Sequence, residues 1–360
     1  MINTRSLSSM VRVGLIALGM ALALAVQPTE ACGCGAYVPR DGDAFVSQEN
    51  ALLHWDGVTE QIVMSLGVLG SSKEAAVIMP VPSRATVKLG DGKIFDQLRD
   101  LTKPLVRIEK RSRGLTLGAG AAPPEGAARV TVLARQTLGP FDVSTLAATD
   151  AEALSTWLRD NGYAISPKLS GALQAYVDKG WFYVAVRLQP DAGVALQGAL
   201  DPLWITFASD SIVYPMRASA NARSEQSVTL YVLAAHKVQK AAQFGNSHIP
   251  YADWVDPSAV SADPALVPFV TGRLFLTKFQ ETVDPARVND DFVFTYAPND
   301  NTAHDYVVQY EDDYTAAGTV MLGLVCLVIG VPLLLLLAVG IIIVILVRRN
   351  RKAAKPTAAG

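Results

Sequence analysis

Apolar residues run without interruption near both ends of the chain and alternate with polar ones between them. Val13–Val26 carries no charge and follows Arg5 and Arg12. Its 14 residues fall short of the roughly 20 that a membrane-crossing helix needs and suit the apolar region of a secretory leader. Residues 1–31 are therefore expected to be a signal peptide, cut after Ala31 in Thr29-Glu30-Ala31 or somewhat earlier, nearer Ala25. An uncleaved anchor fits less well, since the run is short and Pro28 follows it. Near the other end, Ala316–Val347 is 32 residues without a charge. As a helix it would reach about 48 Å, beyond the roughly 30 Å of bilayer hydrocarbon, so residues 316–347 are expected to span a lipid bilayer with some tilt. Pro332 frees the carbonyl of Val328, and a modest kink is expected there.

Arg348, Arg349, Arg351, Lys352 and Lys355 follow directly, whereas Glu311, Asp312 and Asp313 precede the span. By the positive-inside rule residues 348–360 form a cytoplasmic tail, and the chain before the span lies outside the cell membrane it crosses once. The basic tail also suits contact with anionic lipid.

The middle of the chain mixes two periods. Ile62, Met64, Leu66 and Val68 recur at every second position, which predicts a strand with one face buried. Gly70–Lys73 reads as a turn into a partner strand, Ala75–Met79, completing a hairpin that Met79-Pro80-Val81-Pro82-Ser83 ends. Ile94–Leu101 is expected to be a short helix with Phe95 and Leu98 inward. Lys103–Arg113 is basic and reads as a solvated strand leading into the Gly-, Ala- and Pro-rich 114–126. Arg129–Leu133 and a segment ending near Leu146 resume strand character.

Thr149-Asp150-Ala151-Glu152 has the spacing of a capping box, in which the Thr149 hydroxyl accepts from the N–H of Glu152. A helix should follow, with Leu154, Trp157 and Leu158 buried and Gly162 as its stop. A second is expected over Ser170–Lys179, with Leu173, Tyr176 and Val177 inward and Gly180 as its end. Trp181–Leu188 is almost wholly strand-forming and reads as a central strand. Leu203–Phe207, Ile212–Met216, Ser227–Ala234, Arg273–Phe279 and Asp291–Tyr296 supply further strands, and Ala241–Pro268 looks looser because of its four prolines. Strands, two consecutive helices, then strands predict an α+β fold with a mainly antiparallel sheet. Residues 32–240 form its main domain, and 241–315 either a subdomain or an extension of the same sheet.

Composition narrows the function classes. Half of the residues are hydrophobic and 18% are charged, which excludes a disordered chain. The whole chain is at −2, but the leader contributes +1 and the tail +5, so the middle carries −8 and makes a poor nucleic-acid surface. Of the three cysteines, Cys326 lies within the apolar span, which leaves Cys32 and Cys34 facing the oxidising side. A small strained disulfide, a purely structural role at a tethered terminus, and a thiolate site for Cu(I) or Zn²⁺ are all open to this pair.

Gly139-Pro140-Phe141-Asp142-Val143, Ala148–Leu154, Trp157-Leu158 and Asn161-Gly162-Tyr163 together resemble the bacterial family known as domain of unknown function 2330. Cys32-Gly33, Met79–Ser83, Phe95-Asp96-Gln97-Leu98, Val213-Tyr214-Pro215 and Tyr231-Val232-Leu233 resemble it in the same order. The resemblance implies a secreted or single-span envelope protein and carries no catalytic residue with it.

Chemistry is sparse along the chain. His54, His236, His248 and His304 stand in no metal-ligand spacing, and neither a G-x-S-x-G elbow nor a phosphate-cradling glycine loop occurs. The acidic clusters at Asp41–Asp43, Asp253–Asp256, Asp290-Asp291, Asn299–Asn301 and Glu311–Asp313 read as solvated turns. No cofactor is expected. The favoured reading is a non-enzymatic envelope module that binds another protein, a wall component or a small ligand. An exported hydrolase with a site assembled in space, and a metal or redox role for Cys32 and Cys34, are the alternatives.

Overall fold

The computed structural model describes residues 36–112, 135–136, 142–146, 151–163, 166–188, 195–313 and 323–353. Its first strands are β1 (Ala36–Pro39), β2 (Phe45–Trp55), β3 (Thr59–Ser72), β4 (Ala75–Val81), β5 (Thr86–Leu89) and β6 (Leu105–Ser112). They continue with β7 (Arg135–Gln136), β8 (Asp142–Leu146), β9 (Phe182–Leu188), β10 (Leu196–Leu200), β11 (Leu203–Ala208), β12 (Ile212–Tyr214) and β13 (Gln226–Ala234). The last are β14 (Val238–Lys240), β15 (Gly245–Val255), β16 (Leu274–Val283), β17 (Phe292–Tyr296), β18 (Ala303–His304) and β19 (Tyr306–Asp313). The helices are α1 (Lys93–Leu101), α2 (Ala151–Asp160), α3 (Pro167–Val177) and α4 (Val331–Ala353). The fold is a strand-rich α+β one. Two compact units divide it, the first comprising residues 1–104 and 129–305, the second 105–128 and 306–360.

The first unit is layered. Among the described residues one sheet runs β1-β4-β9-β8 and a larger one β18-β15-β16-β13-β2-β3-β10-β7, with β11 and β5 branching from β3. Most pairs are antiparallel, but β2 and β13 run parallel, as do β7 and β10. The main core lies between the sheets, where Val77, Met79, Val184 and Val186 of the smaller meet Leu53, Ile62, Met64 and Val232 of the larger. Alternation sends the intervening residues outward, where each sheet meets a further layer. Ala76, Ile78 and Tyr183 pack against Leu154 and Leu158 of α2 and Leu169, Leu173 and Tyr176 of α3. Leu52, Val63 and Tyr231 pack against Ile94, Phe95 and Leu98 of α1 and against Val260, Leu266 and Phe269. Each large side chain so buried contributes about 1.5–3 kcal/mol.

This layering corrects two expectations. β3 is buried on both faces, Val63 as fully as Ile62 and Met64, because α1 and the 260–270 segment cover the side that alternation alone assigns to solvent. Nor do β3 and β4 form a hairpin. β3 pairs with β2, β10 and β11, whereas β4 crosses into the other sheet between β1 and β9. A tight turn joins strands whether they pair or change sheets, and here both inner faces share one core. β4 also continues through Pro80, opposite Tyr183, before ending at Val81.

Local signals fare better at the helices. α1 buries Phe95 and Leu98 as its spacing predicts, and Ile94 with them. Leu154 and Leu158 of α2 are buried, and Gly162, at φ +82°, supplies the left-handed residue that stops the helix. The proposed capping residue Thr149 lies outside the described residues, as do Arg129–Leu133. α3 starts three residues earlier than expected, at Pro167. Ser166 caps it by accepting from the N–H of Leu169, and proline at the first helical position has no N–H to leave unpaired.

The segment expected to be loose contains β15, an 11-residue strand. Pro250 is tolerated because the register shifts between His248 and Tyr251, so the residue without a donor sits in the irregularity. Gly245, opposite Val283, admits no larger residue: a Cβ there would stand 1.6 Å from the Thr282 carbonyl oxygen.

In the second unit β19 and β6 form a two-stranded parallel ribbon. The unit also contains the apolar helix, of which 323–349 is long and apolar enough to cross a membrane. A π-helical turn, Cys326–Gly330, precedes α4, and the N–H of Val331 bonds the Cys326 carbonyl five residues back. This widened turn stands where a kink was expected, immediately before the proline ring that would press on the carbonyl of Val328.

Candidate functional site

Strand ends of the first unit assemble a row of aromatic rings. Trp254 comes from β15, His236 from the residues just after β13, Tyr296 from the last position of β17 and Trp55 from the last of β2. Successive ring centroids lie 6.3, 5.2 and 6.2 Å apart along Trp254, His236, Tyr296 and Trp55. The row reaches the surface: Tyr296 is 42% exposed, and the two tryptophans are half-buried. Trp55 is pinned by its Nε1–H, which donates to the Ser209 carbonyl at 3.0 Å. Arg273 lays its guanidinium over Trp254, 4.7 Å from the ring centre. Rigid aromatic bodies with polar tips supply contact area at little entropic cost, the composition favoured at the centre of binding surfaces.

Carboxylates orient three of the four histidines. His236 Nδ1 lies 2.9 Å from Asp300 Oδ2, and Asp300 Oδ1 accepts from the N–H of Lys237 at 2.8 Å. Those two bonds hold the Asp300 carboxyl below its ordinary range. His248 Nε2 pairs with Asp305 at 2.9 Å and His304 Nε2 with Asp253 at 3.0 Å. Asp300, His304 and Asp305 lie within six residues of one another, so all three pairs tie segment 300–305 to the sheet. Solvated turns were expected at Asp253–Asp256 and Asn299–Asn301; Asp253 and Asp300 are instead its fastenings.

His54 is different. It packs edge-on against Phe269, and its Nδ1 faces the Gln61 amide nitrogen at 3.2 Å, while Gln61 Oε1 accepts from Trp204 Nε1 at 3.1 Å. Burial pushes its pKa below the ordinary value, with Asp56 opposing. The unfolded chain then binds the proton more readily than the folded one. Stability should be unaffected above about pH 6.5, fall as pH drops below it, and level off once the folded histidine also titrates. Chemical unfolding of wild type and His54→Gln between pH 8 and pH 5 checks this. The stability difference between the two should shift with pH in that window, and a pH-independent difference would contradict the argument.

Three buried acids were read as turn residues or not noticed. Asp291, 2% exposed, accepts from Tyr176 Oη at 2.5 Å and from the N–H of Met216 at 2.9 Å, with Lys179 Nζ 3.2 Å from its other oxygen. Glu60 is fully buried on β3 and receives the N–H of Val213 at 3.2 Å. Burial raises its pKa well above the ordinary carboxylate range. Glu49, also fully buried, accepts from Tyr214 Oη. These groups tie layers together. Concavities near them are small: one of about 60 Å³, lined by Asn50, Ser65, Asp96 and Arg99 among others, is large enough for a few waters. Among the described residues no three His, Cys, Asp or Glu side chains converge as a metal site. Cys32 and Cys34 lie outside the described residues, and Cys326 is an exposed free thiol on the apolar helix.

Fold and surface together define a layered, strand-rich α+β protein with one C-terminal helix able to cross a membrane. Residues 28–295 match the family model described as "Uncharacterized protein conserved in bacteria (DUF2330)". The chain belongs to that family, as the sequence resemblance implied. No curated protein matches it. Among solved structures it is similar to the crystal structure of baculovirus P35, with 12% identity and a TM-score of 0.37 over 72% of this chain and 99% of that one.

Proposed function

We propose that this protein is a membrane-anchored, exported binding module, held by residues 316–347 with its N-terminal portion outside the cell and its basic tail in the cytoplasm. The observation that carries the binding role is the surface row Trp254–His236–Tyr296–Trp55, whose rings come from four separate strand ends. Partly exposed aromatics of this size are seldom gathered at a surface without a partner. The leader-like residues 1–31 and the cations behind the span support the orientation. An envelope protein or wall component is the partner class that this placement offers, and nucleic acid is disfavoured by the negative charge of the exported portion.

The test compares wild type with a Trp254→Ala/Tyr296→Ala variant, each crosslinked in intact cells and recovered from washed membranes. The variant should lose at least ten-fold of the material crosslinked to wild type while its unfolding midpoint stays within a few degrees. Equal recovery from both would remove the row from the binding role. Protease added to whole cells should digest the portion before the span and spare the last dozen residues; the opposite pattern would reverse the orientation.

A further inference from the structure

The rings of the surface row are set in place before any ligand arrives. Trp254 stands edge-on to the fully buried Phe275, at 5.1 Å and 74°, while Trp55 is tied to the Ser209 carbonyl and His236 to Asp300. A partner therefore loses little by ordering them. Trp254 and Tyr296 make angles of 74° and 81° with the imidazole between them, so the rings stand as walls about His236 rather than as one flat platform.

The chemistry among these walls follows from Asp300. His236 and the N–H of Lys237 hold its carboxyl below the ordinary range, so it is ionised at neutral pH and only accepts. The neutral imidazole must then carry its proton on Nδ1, the nitrogen 2.9 Å from Asp300 Oδ2, and Nε2 becomes an acceptor on a side chain that is 55% exposed. Charges beside the row are met within the protein. Arg273 lies over Trp254 with its Nε 4.0 Å from Asp256, Lys237 Nζ donates to the Asn301 carbonyl, and Asp56 accepts from the N–H groups of Val58 and Thr59.

We infer that the row takes an extended, uncharged glycan chain, its sugar rings seated against Trp254, Tyr296 and Trp55 and one hydroxyl donating to His236 Nε2. A pyranose carries C–H groups on its faces, which the electron-rich faces of aromatic rings attract, and hydroxyls on its rim, which suit an acceptor set among those rings. Neighbouring rings of the row are 5.2 to 6.3 Å apart, close to the advance per residue along an extended β-linked glycan. The paired charges favour a neutral ligand over a charged peptide or lipid headgroup.

The inference rests on the binding role proposed above for the row, and the experiment separates the two. Full-length chain in phosphatidylcholine nanodiscs is titrated with β-1,4-linked oligomers of N-acetylglucosamine and of glucose, followed by tryptophan fluorescence and calorimetry. In at least one series, affinity should climb at least ten-fold from disaccharide to tetrasaccharide and level off in longer chains, because the row ends. Trp254→Ala/Tyr296→Ala should lower the tetrasaccharide affinity at least ten-fold. His236→Phe keeps a ring but removes the acceptor, and should lower it about five-fold, as one lost hydrogen bond does. The wild-type length series stands even if a variant fails to fold. No saturable binding in either series, or affinity independent of length, would overturn the inference. So would fluorescence quenching by brominated lipid in the discs that the double variant abolishes, which would assign the row to the bilayer. If crosslinking in cells depends on Trp254 and Tyr296 while no oligomer binds, the glycan falls and the binding role stands. Crosslinking equal in both would remove the binding role itself.

Discussion

Replacing Lys240 with methionine should lower the free energy of unfolding by about 3–5 kcal/mol, because it leaves a carboxylate in the core without its counter-charge. Lys240 Nζ lies 2.5 Å from Glu281 Oε2, and both side chains are 2% exposed. The same ammonium donates to the Ala242 carbonyl at 2.8 Å and sits 4.1 Å from the ring centre of Phe292, which stacks on Phe244. Glu281 Oε1 takes the N–H of Phe244 at 2.5 Å, so the pair also fixes the chain entering β15. Burial pulls the Lys240 pKa down while Glu281 pushes it back up, as expected of a desolvated ion kept charged by its partner. The double variant Lys240→Met/Glu281→Gln keeps an acceptor for Phe244 and removes the orphaned charge. It should recover more than half of the loss in urea titrations. If the two single variants and the double lose equal stability, the lysine acts by packing rather than by charge.

The second large effect is expected at Asp291. Its carboxylate collects Tyr176 Oη from α3, the N–H of Met216 after β12, and Lys179 just past α3. Arg217 stands 3.7 Å away through Nε and bonds neighbouring Asp290 at 2.6 Å. Asp291→Ala removes the acceptor of the buried Tyr176 hydroxyl and of the Met216 N–H, a loss of about 3 kcal/mol. The damage should be uneven. Amide exchange in α3 should accelerate by at least ten-fold while β13 and β16, which pair along nine positions, keep their protection. Asp291→Asn retains an acceptor for Tyr176 and Met216 and should recover part of the loss. Uniform acceleration across both sheets would show that Asp291 supports the whole unit rather than the docking of α3.

The candidate surface was legible only in fragments. His236 lies just past the strand expected over Ser227–Ala234, which β13 bears out, but nothing in the spacing of Trp55, His236, Trp254 and Tyr296 says that four strand ends bring their rings together. The pairing of β2 with β13, of β13 with β16 and of β16 with β15 sets three of them side by side, and β14, which follows His236, pairs with the end of β17 that carries Tyr296, over sequence separations no local pattern spans. Asp291 was hidden for a related reason. An acid beside another acid before a strand has the same letters whether it meets water or Tyr176. The one local cue was the apolar Phe292-Val293-Phe294 directly behind it, which draws the preceding residue toward the core. Similarly, Asn299–Asn301 looked like polar turn residues because the partners of segment 300–305, His236, His248 and Asp253, lie more than 50 positions earlier.

What the sequence determined by itself is what depends on a residue and its near neighbours. The apolar helix near the C-terminus, the inward stripes of α1 and α2, the glycine that stops α2, the strand character of β9 and the family all follow from short patterns, since propensity, capping and periodicity act within a few residues. The tertiary structure alone decided which strands share a sheet and which faces meet water. It carried β4 away from β3 and covered the second face of β3 with α1, because a strand's partner and its covering are chosen by whatever apolar surface the rest of the chain brings alongside, and alternation records only that two faces exist.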